Sequence, residues 1–176
     1  FSGAATFGTL TLAGSGINRE ARLFKFDALG NGLWARQLTG PGYEYGAGLA
    51  LDGQGNVYQA GGCNAGAQVE GVALTNAGLT DVFVASYTGQ GALRWVQTAG
   101  GPGNDEAGSL SMPDGANGLY VVGGFDGGSS SFGPTVLTNA GAAVTYVYDG
   151  FVARLTGVKA RQAGYYTESE CTAHPS

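Results

Sequence analysis

"GNVYQAGG", residues 55–62, reads as a β-strand: a Gly-Asn entry, an apolar and aromatic middle, and a Gly pair at the exit. Sixty-two residues later "NGLYVVGG", residues 117–124, says nearly the same thing. Working outward from these two stretches, other phrases keep the same step. Trp34 and Trp95 stand 61 apart inside "GLWARQLTG" and "ALRWVQTAG". "LTNAG" at 74–78 returns at 137–141, and "LTLAGSG" at 10–16 is a weaker copy. "DVFVASY" at 81–87 returns as "DGFVARL" at 149–155 and more loosely as "EARLFKF" at 20–26. Four phrases in one order at one period define an internal repeat.

Each phrase has strand character, and no segment carries an apolar period near 3.6 over helical length, so no helix is expected. "FDALGNGLW", "YTGQGALRW" and "LDGQGNVY" each place two short apolar runs around a Gly-rich connection, as a hairpin requires. One repeat then contains about four antiparallel strands, "TFGTLTL", "ARLFKF", "LWARQL" and the pair "GLALD…NVYQA". A sheet of that size cannot bury both faces alone. Stacking against like sheets solves this, and radial stacking gives a β-propeller. The expected fold class is all-β: three propeller-type blades at 1–62, 63–124 and a degraded 125–176 with a C-terminal tail, in an incomplete or open ring.

The run from "FVASY" (83–87) to "YVVGGF" (120–125) is similar to the bacterial SBBP-type β-propeller repeat, with its D-x-F-V-A strand, turn, Trp strand and closing G-N-V-Y-V-x-G. The resemblance covers residues 1 to about 164, in two full copies and one degraded copy. It implies a secreted or surface protein of bacteria and brings no catalytic residues with it. The third copy departs from the pattern. "AAVTYVY" is inserted before Asp149, Lys159 stands where Trp34 stands, and "YYTESECTAHPS" keeps nothing of the closing phrase.

Composition narrows the function. Charged residues are 12% of the chain, about half the usual share, and 34 residues are Gly without a collagen period. The net charge is −5 and the only lysines are Lys25 and Lys159, so no basic surface for nucleic acid or anionic membrane is expected. No apolar run reaches the length of roughly 20 residues that spans a bilayer. The chain begins at Phe1 without Met, which reads as a processed product or a piece of a longer chain. Low Lys with high Gly, Thr and Asn suits an extracellular or cell-surface protein. Its two cysteines, Cys63 and Cys171, are expected to form one disulfide that anchors the tail.

No catalytic constellation emerges. The only histidine, His174, lies in the tail, and no G-x-S-x-G, G-K-[ST] or C-x-x-C spacing occurs. Asp52, Asp105, Glu106 and Asp114 lie in Gly-rich turns where carboxylates could converge on Ca²⁺, but Asp and Asn also set turn geometry, and no cofactor or metal is expected. Asp105 and Glu106 as a glycosidase pair is the remote enzymatic reading. Trp34, Trp95, Tyr58, Tyr120, Phe83 and Phe151 recur with the repeat and are assigned to its core. Aromatic residues where repeats differ, Phe1, Tyr146, Tyr148, Tyr165 and Tyr166, with Tyr43 and Tyr45, are candidates for an interface. The function expected is a non-enzymatic extracellular structural or interaction protein, a homo-oligomer or homopolymer built through its ends. A carbohydrate-binding or adhesin module with a glycan partner is the alternative.

Overall fold

The computed structural model describes residues 3–14, 18–113, 118–139 and 148–156, with the backbone of Ser169–Cys171. Every regular element there is a strand: β1 (Ala5–Phe7), β2 (Leu10–Leu12), β3 (Ala21–Phe26), β4 (Gly32–Thr39), β5 (Tyr45–Leu51), β6 (Val57–Cys63), β7 (Gln68–Val69) and β8 (Val72–Ala73). They continue with β9 (Asp81–Tyr87), β10 (Leu93–Ala99), β11 (Asp105–Ser111), β12 (Gly118–Phe125), β13 (Ser129–Phe132), β14 (Thr135–Thr138), β15 (Asp149–Thr156) and β16 (Ser169–Cys171). All strands pair antiparallel. The first sheet runs β3-β4-β7-β8, the second β5-β6-β9-β10 and the third β11-β12-β15-β16, while β1-β2 and β13-β14 are separate two-stranded hairpins.

The hairpin signals correspond to one repeated turn. In the β3–β4 turn Asp27 Oδ1 accepts the N–H groups of Leu29 and Asn31, and in the β5–β6 turn Asp52 Oδ1 accepts those of Gln54 and Asn56. The β9–β10 turn substitutes Thr88, whose Oγ1 accepts the N–H of Ala92. Gly30, Gly55 and Gly91 take the left-handed position in each, at φ 85°, 79° and 88°.

The Gly pair that ends the closing phrase has a separate cause. β5 bulges between Gly46 and Gly48, and β11 bulges at the matching place between Ala107 and Ser109. The bulge drives a carbonyl into the neighbouring strand. A Cβ on Gly61 would lie 1.8 Å from the Tyr45 carbonyl oxygen, and one on Gly123 would lie 1.9 Å from that of Glu106. The strand can pass only without side chains.

Two apolar clusters hold the sheets face to face. Leu23, Trp34 and Leu38 meet Val57, Cys63, Phe83 and Tyr87 between the first and second sheets. Tyr58, Ala60, Val82 and Val84 meet Leu110, Leu119, Val121 and Phe151 between the second and third. The second sheet is therefore covered on both sides, and β6 and β9 are buried along their whole lengths. This explains why "DVFVASY" lacks polar alternation.

The expected segments 1–62, 63–124 and 125–176 do not coincide with the sheets. The second sheet takes β5 and β6 from before Cys63 and β9 and β10 from after it. "TFGTLTL" is likewise a hairpin of its own, β1-β2, and joins no four-stranded sheet. Strand phrases mark the period correctly but do not say which strands pair across its boundary.

Candidate functional site

The repeat-core residues fall at the junctions between sheets. Trp34 is buried against the Tyr87 ring at 6.2 Å, and its Nε1–H donates to the Gly89 carbonyl at 3.1 Å. Lys25 Nζ donates to the same carbonyl at 2.7 Å, and Arg36 Nε donates to that of Gly91 at 2.7 Å. The β9–β10 turn is thus seated on the first sheet. Trp95 is half-buried beside Tyr58, 6.0 Å between rings, against the second cluster. Tyr58 is buried, donates to Asp52 Oδ2 and accepts from Arg94 Nη1, both at 3.0 Å. Phe83 and Phe151 are buried, whereas Tyr120 is half-buried under the Arg154 guanidinium at 5.8 Å. Lys159 lies outside the described residues.

Sequence reasoning named Asp105 only as a turn residue and passed over Glu44, and it missed that carboxylates are buried at the loops that enter β5 and β11. Glu44 and Asp105 follow "GPGY" and "GPGN", and both are 0% exposed. Asp105 Oδ2 accepts the Gly101 N–H at 2.8 Å, Asp81 Oδ2 accepts that of Ala77 at 2.6 Å, and Asp126 Oδ1 accepts that of Asn104 at 2.6 Å. These acids pin the loops that cross from sheet to sheet. Burial pushes the Asp81 carboxyl up to about 6, with the Asp105 charge adding to it. Burial also raises Asp105 and Glu44. The Pro-Gly-x-acid phrase, present twice, was the signal that could have found them.

As a metal or catalytic site the acids do not come together. Asp52 is engaged by its own turn: burial raises its carboxyl, but bonds from Asn56 and Tyr58 hold it below its usual range. Asp105 and Glu106 are successive in β11 and point to opposite faces, so they do not flank one cleft. Among the described residues no three His, Cys, Asp or Glu side chains are placed to share an ion. Asp114 and His174 lie outside them.

The expected Cys63–Cys171 disulfide is not formed. Cys63 is a free, fully buried thiol in the cluster between the first and second sheets. The strand carrying Cys171 is the outer strand of the third sheet, which packs on the other face of the second. The side chain of Cys171 lies outside the described residues. Of the interface candidates, Tyr148 is 42% and Tyr43 62% exposed, and Tyr45 is half-buried. Phe1, Tyr146, Tyr165 and Tyr166 lie outside the described residues.

What the fold does expose is the two outer sheet faces. On the first sheet Phe26 is 40% exposed, whereas Tyr87, its counterpart one repeat on, is 1%. On the third, Val122 is 40% and Val152 52% exposed, against 0% for Ala60 and 4% for Val84 at the matching places of the second sheet.

Antiparallel sheets packed face to face at a fixed sequence period define a β-propeller-type repeat protein. Residues 33–62, from the Trp34 strand through the closing Gly pair, match the family model described as SBBP, beta-propeller repeat, so this stretch carries that repeat. No curated protein matches it. No helix among the described residues is long and apolar enough to cross a membrane.

Proposed function

We propose that the chain is a non-enzymatic extracellular structural or interaction protein, three propeller-type blades in an open ring, that associates with copies of itself into a filament or surface structure. One observation carries this reading: Phe26, Val122 and Val152 are exposed on the outer faces of the first and third sheets, whereas their repeat counterparts Tyr87, Ala60 and Val84 are buried against a neighbouring sheet. The first sheet offers Phe24, Phe26 and Leu33, the last 52% exposed, and the third offers Val122 and Val152. One outer face corresponds to the side that the second and third sheets turn toward the sheet before them. The other corresponds to the side that receives the sheet after. Such a contact is heterologous, so it closes into a ring or extends into a fibre. Few charges stand in the way, with 12% charged residues in the chain.

Light scattering across a concentration series tests this, alongside Phe26→Glu and Val152→Glu. The expected result is association by the wild-type chain that either substitution abolishes. A strict monomer at high concentration would reject the proposal. The second reading, a glycan-binding module, draws on the groove between β3 and β5, where Arg19, Glu20, Tyr45 and Gln59 offer hydrogen-bonding groups. Binding on a glycan array would favour it.

A further inference from the structure

The loop that carries the chain from the second sheet to the third, residues 100–104, is gripped by three carboxylates. Asp81, at the start of β9, packs on Gly100, where a Cβ would lie 2.5 Å from its carboxyl carbon. Asp105, at the start of β11, accepts the Gly101 N–H through Oδ2 at 2.8 Å. Asp126, just after β12, accepts the Asn104 N–H through Oδ1 at 2.6 Å. The loop is also tied to the segment before β9. Leu79 N–H donates to the Gly103 carbonyl at 3.0 Å, and Asp105 N–H donates to that of Thr80 at 2.7 Å. All three acids are buried.

The crossing from the first sheet to the second repeats this arrangement with its charges altered. Glu20 stands where Asp81 stands, Glu44 where Asp105 stands and Asn64 where Asp126 stands. Asn64 Oδ1 accepts the Tyr43 N–H at 3.0 Å, as Asp126 accepts that of Asn104. Here, however, Asn64 is neutral, and Arg22 pairs with Glu20 at 2.7 Å. Glu44 alone has no ion-pair partner at this crossing. At the second crossing Phe83 takes the place of Arg22, and none of the three acids is ion-paired. The two described ion pairs, Glu20–Arg22 and Glu70–Arg36, both belong to the first sheet and its turns. The groups that face Asp81 and Asp105 are acidic or neutral. They are the Cys63 thiol of β6, with Glu44 beyond it, the Ser130 hydroxyl of β13, and Asp126. Glu106, next in β11, is turned to the Tyr45 hydroxyl.

Two carboxylates buried against one loop without a counter-ion are costly to keep ionised together, and one proton relieves the cost. We propose that loop 100–104 is a proton-operated hinge. One proton held jointly by Asp81 and Asp105 keeps the crossing between the second and third sheets shut, and its loss lets the crossing open. Opening returns the carboxylates to water, which favours their charged forms. Burial raises both carboxyls, Asp81 to about 6, so the shut loop binds the proton more tightly than the open one. The hinge is therefore tightest below about pH 4, loosens as pH rises to about 6, and changes little above that. It does not rest on self-association, because every group involved belongs to one crossing of one chain.

Amide exchange in the full chain between about pH 4 and 7, corrected for its intrinsic pH dependence, tests the hinge. The Ala77 and Gly101 N–H groups, which donate to Asp81 Oδ2 and Asp105 Oδ2, report on the crossing. Ala85, buried in the middle of β9, reports on the whole fold. Protection of Ala77 and Gly101 should fall by about tenfold or more from pH 4 to 6 and then level. Both should exchange faster than Ala85 throughout, and Asp81→Asn should remove the fall. Protection that ignores pH, or that falls equally in Asp81→Asn, overturns the proposal. So does exchange of Ala77 and Gly101 at the rate of Ala85, because the crossing then opens only with the whole chain. If Asp81→Asn does not fold, carboxyl-carbon shifts of the wild type decide. Asp81 and Asp105 should titrate as a coupled pair above Asp27, whose turn holds it below its usual range. Both carboxyls fully ionised at about pH 5 would reject the shared proton.

Discussion

Gly61 and Gly123 face the same obstacle one repeat apart: a main-chain carbonyl oxygen less than 2 Å from where a Cβ would sit. Because the obstacle is backbone in a paired strand, no rotamer change relieves it. Alanine at either position should cost about 2–4 kcal/mol, read as a lower midpoint in urea unfolding. Gly53, whose Cβ would meet nothing within 4 Å, is the control, and Gly53→Ala should change stability by no more than about 0.5 kcal/mol. Equal effects at Gly61 and Gly53 would contradict the bulge argument.

The two tryptophans should differ. Trp34 is buried under a turn that its indole N–H also anchors, whereas Trp95 is half-buried beside Tyr58. Trp34→Ala should cost about 3–5 kcal/mol, as a large core truncation does, and Trp95→Ala measurably less. Denaturant titrations of the two variants compare them directly. The opposite ranking would place the tighter junction on the wrong side of the second sheet.

Asp81 gives stability a definite pH dependence. Its carboxyl titrates near 6 in the folded chain against an ordinary value of 3.8, so the folded state binds the proton more tightly than the unfolded one. Stability from this group is therefore fully present below about 4 and lost as pH rises to about 6, a swing of about 2–3 kcal/mol. Asp81→Asn, which keeps an oxygen for the Ala77 N–H, should flatten that part of the curve. Thermal unfolding from pH 4 to 7 measures it, and a wild-type curve parallel to that of the variant would refute the assignment.

Burial pushes the Cys63 thiol up to about 12, so at neutral pH almost none of it is thiolate. In a Cys171→Ser background the remaining thiol should resist a thiol-directed reagent in buffer and react at once in denaturant. Rapid labelling of the native chain would show that Cys63 is not held between the sheets.

The period, the strand phrases and the hairpin turns were legible because each is local: Asp27, Asp52 and Thr88 announce their turns within five residues. The pairing of β6 with β9 across the β7-β8 hairpin was not, because either neighbour satisfies the same apolar pattern. The Cys63 expectation failed for a related reason. Which face of β6 a residue occupies depends on which sheets cover it, and the spacing of two cysteines carries no such information. The buried acids were hidden by their composition, since Glu44 and Asp105 read as ordinary loop residues until the crossing loops close over them.

Because a sheet draws two strands from one side of each closing phrase and two from the other, the unit that is copied in the sequence is not the unit that folds. Excising or inserting one period of about 62 residues at any starting point joins half of one sheet to the matching half of another, and the product is again a set of whole sheets. A gene for such a chain can lengthen or shorten by unequal recombination without a crossover having to find a boundary, and the protein inherits a length that can change in steps of whole sheets.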